Sequence, residues 1–371
     1  ISRISSSNHK GFVFVGLAAR IKIVLTGVLL FIIQTNDRII FLWSQSYSIS
    51  RSRTQIAHRS RSLIAVDRSS HSIAHRIRSL IAVDRSHLSP ILSHLMEIIF
   101  NFIVYAIVFG FGAAIGSFLN VVVYRLPAGL SILWPPSRCP KCLNQLRLSE
   151  NVPVFGWLWL RGRCNHCHSR ISVRYPLVEA ATGLLFLLIF WQFGLTLQTL
   201  GFWAFFSWLL ALSLIDCDTM TLPNSLTRSG LVAGLVFQVA KGWWPNFSPI
   251  DSVNYLVLDG ILGAVVGLWL FDTIGFAGSI ALGQNAMGAG DTKLAALMGA
   301  WLGWKYLLLA GFIACAVGAF AGGGAIAIGL LDRRQPMPFG PFLALGAAIT
   351  ALWGEAILST YWQFFFPNVS L

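Results

Sequence analysis

The stretch from Ile98 to Tyr124 is almost continuously apolar, with small residues Gly110, Gly112, Gly116 and Ser117 set along it, and runs of this kind recur to the end of the chain. Such a run is long enough to cross the ~30 Å hydrocarbon layer as a helix. Small residues on it let neighbouring helices approach closely. Further runs follow at Pro176–Phe193, Leu197–Ile215, Leu226–Ala240, Tyr255–Ile274, Leu294 to about Leu302, Tyr306–Leu331 and Phe342–Leu358. The expected fold is therefore an all-α polytopic membrane protein of about eight transmembrane helices. Composition agrees: 56% of residues are hydrophobic and 11% charged, against roughly 25% charged in soluble domains.

The only long polar interruption is Arg125 to Tyr175. Its stretch Arg125–Arg174 carries eight Lys/Arg and one acid, Glu150. An excess of Lys/Arg marks the cytoplasmic side, and the remaining loops alternate from there. The loop Trp191–Thr199 has no charge, Lys241 and Asp251 share the next outer loop, and Lys305 is alone in the third. On this alternation Asp216, Asp291 and Asp332-Arg333-Arg334 all reach the cytoplasmic face.

The formal net charge of +13 is mostly local. Residues 1–95 hold 13 Lys/Arg and 3 Asp/Glu, and residues 96–371 hold 14 and 11. The basicity therefore gives no reason to expect a nucleic acid partner. The first 95 residues also repeat a 17-residue unit, Ile56–Ser69 against Ile73–Ser86, and two Arg/Ser-rich copies are too few to stack as a solenoid. They read either as a basic, disordered arm touching anionic lipid or as translated upstream repeat, with the functional protein starting at Met96. The second reading is the expectation. The expected domains are then 1–95 (extension), 96–124 (first transmembrane helix), 125–175 (metal-binding insert) and 176–371 (catalytic membrane domain).

Within the insert, Cys139-Pro-Lys-Cys142 and Cys164-Asn-His-Cys167 are separated by 21 residues. Two such knuckles present four thiolates to one tetrahedral ion, so a structural zinc-ribbon-like Zn2+ site is expected, with His166 and His168 as unneeded substitutes. Paired CxxC spacing also fits a reducing compartment.

Gly288-Ala-Gly-Asp291-Thr-Lys293 stands at the mouth of an apolar run, where a carboxylate is costly to desolvate and reads as functional. Asp216, 75 residues earlier, lies at the end of another run on the same expected face. Two carboxylates in a low-dielectric setting share a proton, so one can activate water while the other polarises a carbonyl. Structural alternatives stand beside this: Asp216 and Asp218 could mark a helix end, Asp291 could cap a helix, and Lys293 could neutralise it or snorkel to headgroups. An ion-coupled transporter using intramembrane carboxylates is the rival functional reading.

From Met96 onward the chain resembles the bacterial type IV prepilin peptidases, the bifunctional leader peptidase/N-methyltransferases. The resemblance rests on Gly116-Ser-Phe-Leu-Asn120 with Tyr124-Arg-Leu-Pro127; the CxxC pairs with Asn151-Val-Pro153 and Arg161-Gly-Arg163 between them; and Ile171-Ser-Val-Arg-Tyr-Pro176 with Glu179. It rests equally on Ile215-Asp216 with Leu222-Pro-Asn224, on Gly288-Ala-Gly-Asp291-Thr-Lys293, and on Pro338-Phe-Gly-Pro341. It implies that Asp216 and Asp291 are the catalytic pair of a GxGD-type aspartic peptidase in the bacterial inner membrane, facing the cytoplasm. The substrates it implies are prepilins and type II secretion pseudopilins, whose basic leader is removed after a glycine. It also implies methylation of the new N-terminus from S-adenosylmethionine, with Gly162 and Arg163 in the insert as candidate contributors. Asp218 lies about 200° around a helix from Asp216, so only one of them can face the site. Gly288 and Gly290 are expected to hold backbone close enough for an extended leader to reach both carboxylates.

Overall fold

The computed structural model describes residues 68–147, 149–243, 249–283, 287–329 and 337–365. Asp332-Arg333-Arg334, Trp244-Pro245 of the expected outer loop and most of the first repeat copy lie outside the described residues. The chain divides into two units, Ile1–Leu92 and Ser93–Leu371. Of the first, the described part is helical; the architecture below is that of the second.

Among the described residues there is no β-strand, only two isolated bridges in the insert, Arg138 with Gln145 and Arg163 with Arg170. The helices in chain order are α1 (Arg68–Arg125), α2 (Phe155–Trp159), α3 (Arg174–Phe193), α4 (Leu197–Thr219), α5 (Asn224–Trp243) and α6 (Pro249–Asn254). A π-helical turn, Tyr255–Ile261, leads into α7 (Leu262–Leu282), followed by α8 (Ala289–Leu302), α9 (Trp304–Ala327) and α10 (Gly340–Phe365). Among the described residues, six segments are long and apolar enough to cross a membrane: Ser93–Arg125, Arg174–Phe193, Leu197–Thr219, Pro249–Ile280, Trp304–Ala327 and Gly340–Phe365. The chain is a multi-pass membrane protein.

The other two expected spans exist as helices but fall short of that standard. The run at Leu226–Ala240 lies within α5, whose length suffices but whose Asn224, Arg228, Gln238 and Lys241 lower its apolarity. The run from Leu294 lies within α8, 14 residues long, or about 21 Å at 1.5 Å per residue.

Helix α8 nevertheless organises the bundle. Every residue from Leu294 to Trp301 is buried, the condition of a helix apolar on all sides. In a bilayer, helix association rests on close van der Waals contact, and α8 gains it through small residues. Gly263 and Gly267 of α7 face Ala295 and Gly299 of α8, and a Cβ at Gly263 or Gly299 would overlap the other's carbonyl. Replacing Gly299 by leucine would separate the two helices. At its far end, Trp301 stacks on Phe205 and Phe237 and donates its indole N–H to Gly230 O (2.8 Å). Gln238 Nε2 donates to the Ala300 and Trp301 carbonyls, which the end of the helix leaves free. The chain leaves α8 through Gly303, whose φ of +80° few side chains tolerate.

The opposite end of α8 is where the site lies. Gly288 is its N-cap and Asp291 falls in its first turn.

Candidate functional site

Asp216 sits in the last turn of α4, just before Met220 stops the helix in a left-handed conformation (φ 50°). Asp291 sits in the first turn of α8. The meeting of a helix end and a helix start brings residues 75 positions apart to one place. Both carboxylates are nearly inaccessible, Asp216 5% and Asp291 8% exposed, and the charge of Asp216 is felt at Asp291. A third element completes the arrangement: the backbone N–H of Gly340 donates to Asp216 Oδ2 at 2.9 Å. Gly340 begins α10, so this N–H belongs to the set a helix start leaves unpaired. A Cβ there would lie 2.6 Å from Asp216 Oδ2, so any larger residue would displace the carboxylate.

Asp218 points elsewhere. Arg174 donates through both terminal nitrogens to its two carboxylate oxygens, each at 2.7 Å, on an exposed surface. The pair ties the start of α3, where the chain leaves the insert, to the end of α4. Lys293 is likewise committed away from Asp291: its Nζ donates to Asn224 Oδ1 at 2.8 Å, so local neutralisation of Asp291 is not its role. The glycines of the turn differ. A Cβ at Gly290 would meet Leu222 Cβ at 3.0 Å, so Gly290 allows α8 to pack on the Leu222-Pro-Asn224 segment. A Cβ at Gly288 would lie 3.5 Å from Asp291 Oδ2, an ordinary contact. Close approach at Gly290 is thus to Leu222 rather than to open space.

In the insert, the two CxxC segments form matching knuckles. Cys139 N–H bonds Asn144 O and Leu143 N–H bonds Cys139 O; Cys164 N–H bonds Ser169 O and His168 N–H bonds Cys164 O. Leu143 and His168 occupy the same left-handed position in the two copies. His168 therefore serves the turn. The four sulfurs lie within 4.8 Å of one another, with Cys139–Cys167 at 3.7 Å and Cys142–Cys164 at 3.9 Å. Thiolates around one tetrahedral ion with 2.3 Å bonds are about 3.8 Å apart, whereas a disulfide would need about 2.05 Å. The donor set fits a metal and not a pair of disulfides. The Cys142 and Lys141 amides bring the Cys139 thiol down to about 6, against the effect of burial. At Cys142 the Asn144 amide acts the same way, but burial and the neighbouring cysteines prevail and push it up to about 11. Four sulfurs this close cannot all be ionised without a cation among them.

Beside the cysteines lies a cleft of about 690 Å³ between the end of α1, the insert and the start of α3. Asn120, Tyr124, Trp134, Trp157, Tyr175 and Glu179 are among its walls. Glu179 is buried and accepts the Val154 N–H at 2.7 Å, fastening the insert to α3. Asn120 Nδ2 donates to Tyr175 O at 3.1 Å. Gly162 and Arg163 are outside the cleft's lining. Gly162, at φ +68°, lies under the Trp157 ring, and Arg163 bridges to Arg170.

Three residues named only within the motifs of the resemblance gain a role from the structure: the Gly340 amide, Asn224 and the Glu179 carboxylate. A signal for the first was present, since Pro341 just inside an apolar run marks a helix start, and helix starts offer free N–H groups.

Two family models match the chain: Bacterial Peptidase A24 N-terminal domain over residues 110–193 and Type IV leader peptidase family over residues 203–323. The first covers α1's end, the insert and α3; the second runs through both aspartates. Among curated relatives, a protein of Stutzerimonas stutzeri is 37% identical over 277 residues, 68% of this chain and 92% of the relative. One of Pseudomonas aeruginosa is 36% identical over 299 residues, 74% and 98% respectively. One of Dickeya chrysanthemi is 39% identical over 266 residues, 64% and 88%. All three carry the description prepilin leader peptidase/N-methyltransferase. No solved structure matches the chain.

Proposed function

The chain belongs to the type IV leader peptidase family, and from that premise we propose that it is a bifunctional membrane enzyme. As an aspartic endopeptidase it removes the basic leader of type IV prepilins and secretion pseudopilins, and as a methyltransferase it N-methylates the residue exposed by the cut. The observation that carries the peptidase half is that two buried carboxylates, Asp216 and Asp291, stand at the end of α4 and the start of α8, which the Gly290–Leu222 contact and the Lys293–Asn224 bond hold together, with α10 reaching Asp216 through Gly340.

The geometry suggests a division of labour. Asp216 Oδ2 is occupied as an acceptor by the Gly340 N–H, which leaves Oδ1 to take a proton from an attacking water. Asp291 holds the shared proton and donates it to the scissile carbonyl oxygen. Water oxygen then bonds to the carbonyl carbon, the C–N bond breaks as the leaving nitrogen takes the proton held at Asp216, and a hydroxyl of the diol returns its proton to Asp291, which restores the shared proton. The Lys293–Asn224 bond and the packing of Gly290 on Leu222 hold the start of α8 in register with the end of α4.

For the second activity, the four cysteines are proposed to hold a structural Zn2+ that folds the insert, which has few buried side chains of its own. S-adenosylmethionine would supply the methyl group. The cleft beside the cysteines is large enough for such a donor, and Gly162 supports its wall by letting Trp157 pack. Residues 125–175 thus form the methylation-associated insert and 176–371 the peptidase domain. The proposed topology has eight crossings of the bacterial inner membrane, α5 and α8 included, with the insert and both aspartates on the cytoplasmic side, as the loop charges favour.

Mass spectrometry of a co-expressed prepilin tests both halves. Asp216→Asn and Asp291→Asn should each leave the leader attached, while Asp218→Asn should not. Cleavage persisting in either of the first two would sink the assignment. Carboxylate-dependent ion flux in proteoliposomes without cleavage would favour a transporter.

A further inference from the structure

A second cavity, of about 340 Å³, opens beside the turn that carries Asp291. Trp269, Phe271, Asp272 and Phe276 of α7 form one side, and Met287 and Thr292 stand on the other. Asp272 is the only charged residue in this lining and makes no ion pair among the described residues. It is exposed, yet it belongs to the apolar stretch Pro249–Ile280. A carboxylate there is expensive unless it faces a wet cavity or a partner. The cavity supplies the first, and its chemistry specifies the second. Aromatic and aliphatic walls suit the methylene stem of a lysine or arginine, ring faces attract its cationic head, and one carboxylate waits for the charge.

Its position relates the cavity to the reaction. Ala289 and Thr292 both line it and, three residues apart, share a face of α8. Asp291 lies between them in the same turn. Gly288 also lines the cavity, and a Cβ there would lie 3.5 Å from Asp291 Oδ2, so the cavity opens close to the carboxylate, within a short length of extended chain.

We propose that this cavity is a specificity pocket that receives a lysine or arginine side chain of the substrate close to the cut bond, with Asp272 as its counter-charge. The inference rests on the reading of Asp216 and Asp291 as the cutting pair.

The test uses the full chain in proteoliposomes and a prepilin series in which a single lysine is moved through the four positions on each side of the cut bond, with norleucine as the neutral control. At one position lysine should lower KM about tenfold, the scale of a charge-assisted contact. Asp272→Asn, nearly isosteric, should erase that preference while leaving kcat and the KM of the neutral series unchanged. Asp272→Lys should prefer glutamate at the same position. A lysine preference that survives Asp272→Asn, or no position at which lysine matters, overturns the proposal. Cleavage of the neutral series by Asp216→Asn would remove its premise instead, so the two failures are told apart.

Discussion

Gly340→Ala is a single-methyl probe of the carboxylate site. The substitution keeps the N–H that Asp216 accepts and adds one carbon, which on the present backbone would lie 2.6 Å from Asp216 Oδ2 and 3.1 Å from its Cγ. The short carboxylate must retreat by roughly 0.8 Å to reach an ordinary contact. Misplacement of a reacting group by about 1 Å can cost about 100-fold in rate, or ~2.7 kcal/mol. Because the obstructed atoms end a side chain, the bundle itself should survive. Gly346→Ala is the matched control: its methyl would overlap the Ala310 carbonyl of α9, so it should lower stability by ~1–3 kcal/mol with a smaller effect per folded molecule. The assay is single-turnover cleavage of a purified prepilin, paired with thermal unfolding in detergent. Gly340→Ala cleaving within threefold of the unmodified protein, at unchanged stability, would show that Asp216 does not depend on this contact.

Breaking the exposed Arg174–Asp218 pair by Arg174→Ala should cost at most ~1 kcal/mol in thermal unfolding and leave cleavage within a few fold; a hundredfold loss would assign the pair a larger role. Lys293→Met removes the bond to Asn224 Oδ1 and should slow cleavage about tenfold, and combining it with Asn224→Ala should add little, as a double-mutant cycle would report. Replacing any one of Cys139, Cys142, Cys164 and Cys167 by serine, or removing metal with a chelator, should release one equivalent of zinc by atomic absorption and abolish methylation. Retained stoichiometric zinc in all four variants would exclude the four-cysteine site.

Much of this protein is local and therefore legible along the chain. Helix positions follow from apolar runs, because a helix satisfies its own backbone in lipid, and each of the eight expected runs contains a helix among the described residues. The metal candidate was readable because each CxxC knuckle builds half a tetrahedron from four consecutive residues. The segments carrying Asp216 and Asp291 were visible as carboxylates at the ends of apolar runs. Folding added what depends on distant residues. Lengths could not reveal that the 14-residue α8 is ringed on every side, since burial is a property of neighbours. Asp216 and Asp218 differ in sequence by two positions, but Arg174, 44 residues away, claims one and Gly340, 124 residues away, bonds the other. Lys293 turned to Asn224 and Gly290 to Leu222 for the same reason. Hydropathy and motif spacing are written in order along the chain, whereas the partner of a polar atom is chosen by three-dimensional proximity, which nearest neighbours in sequence do not encode.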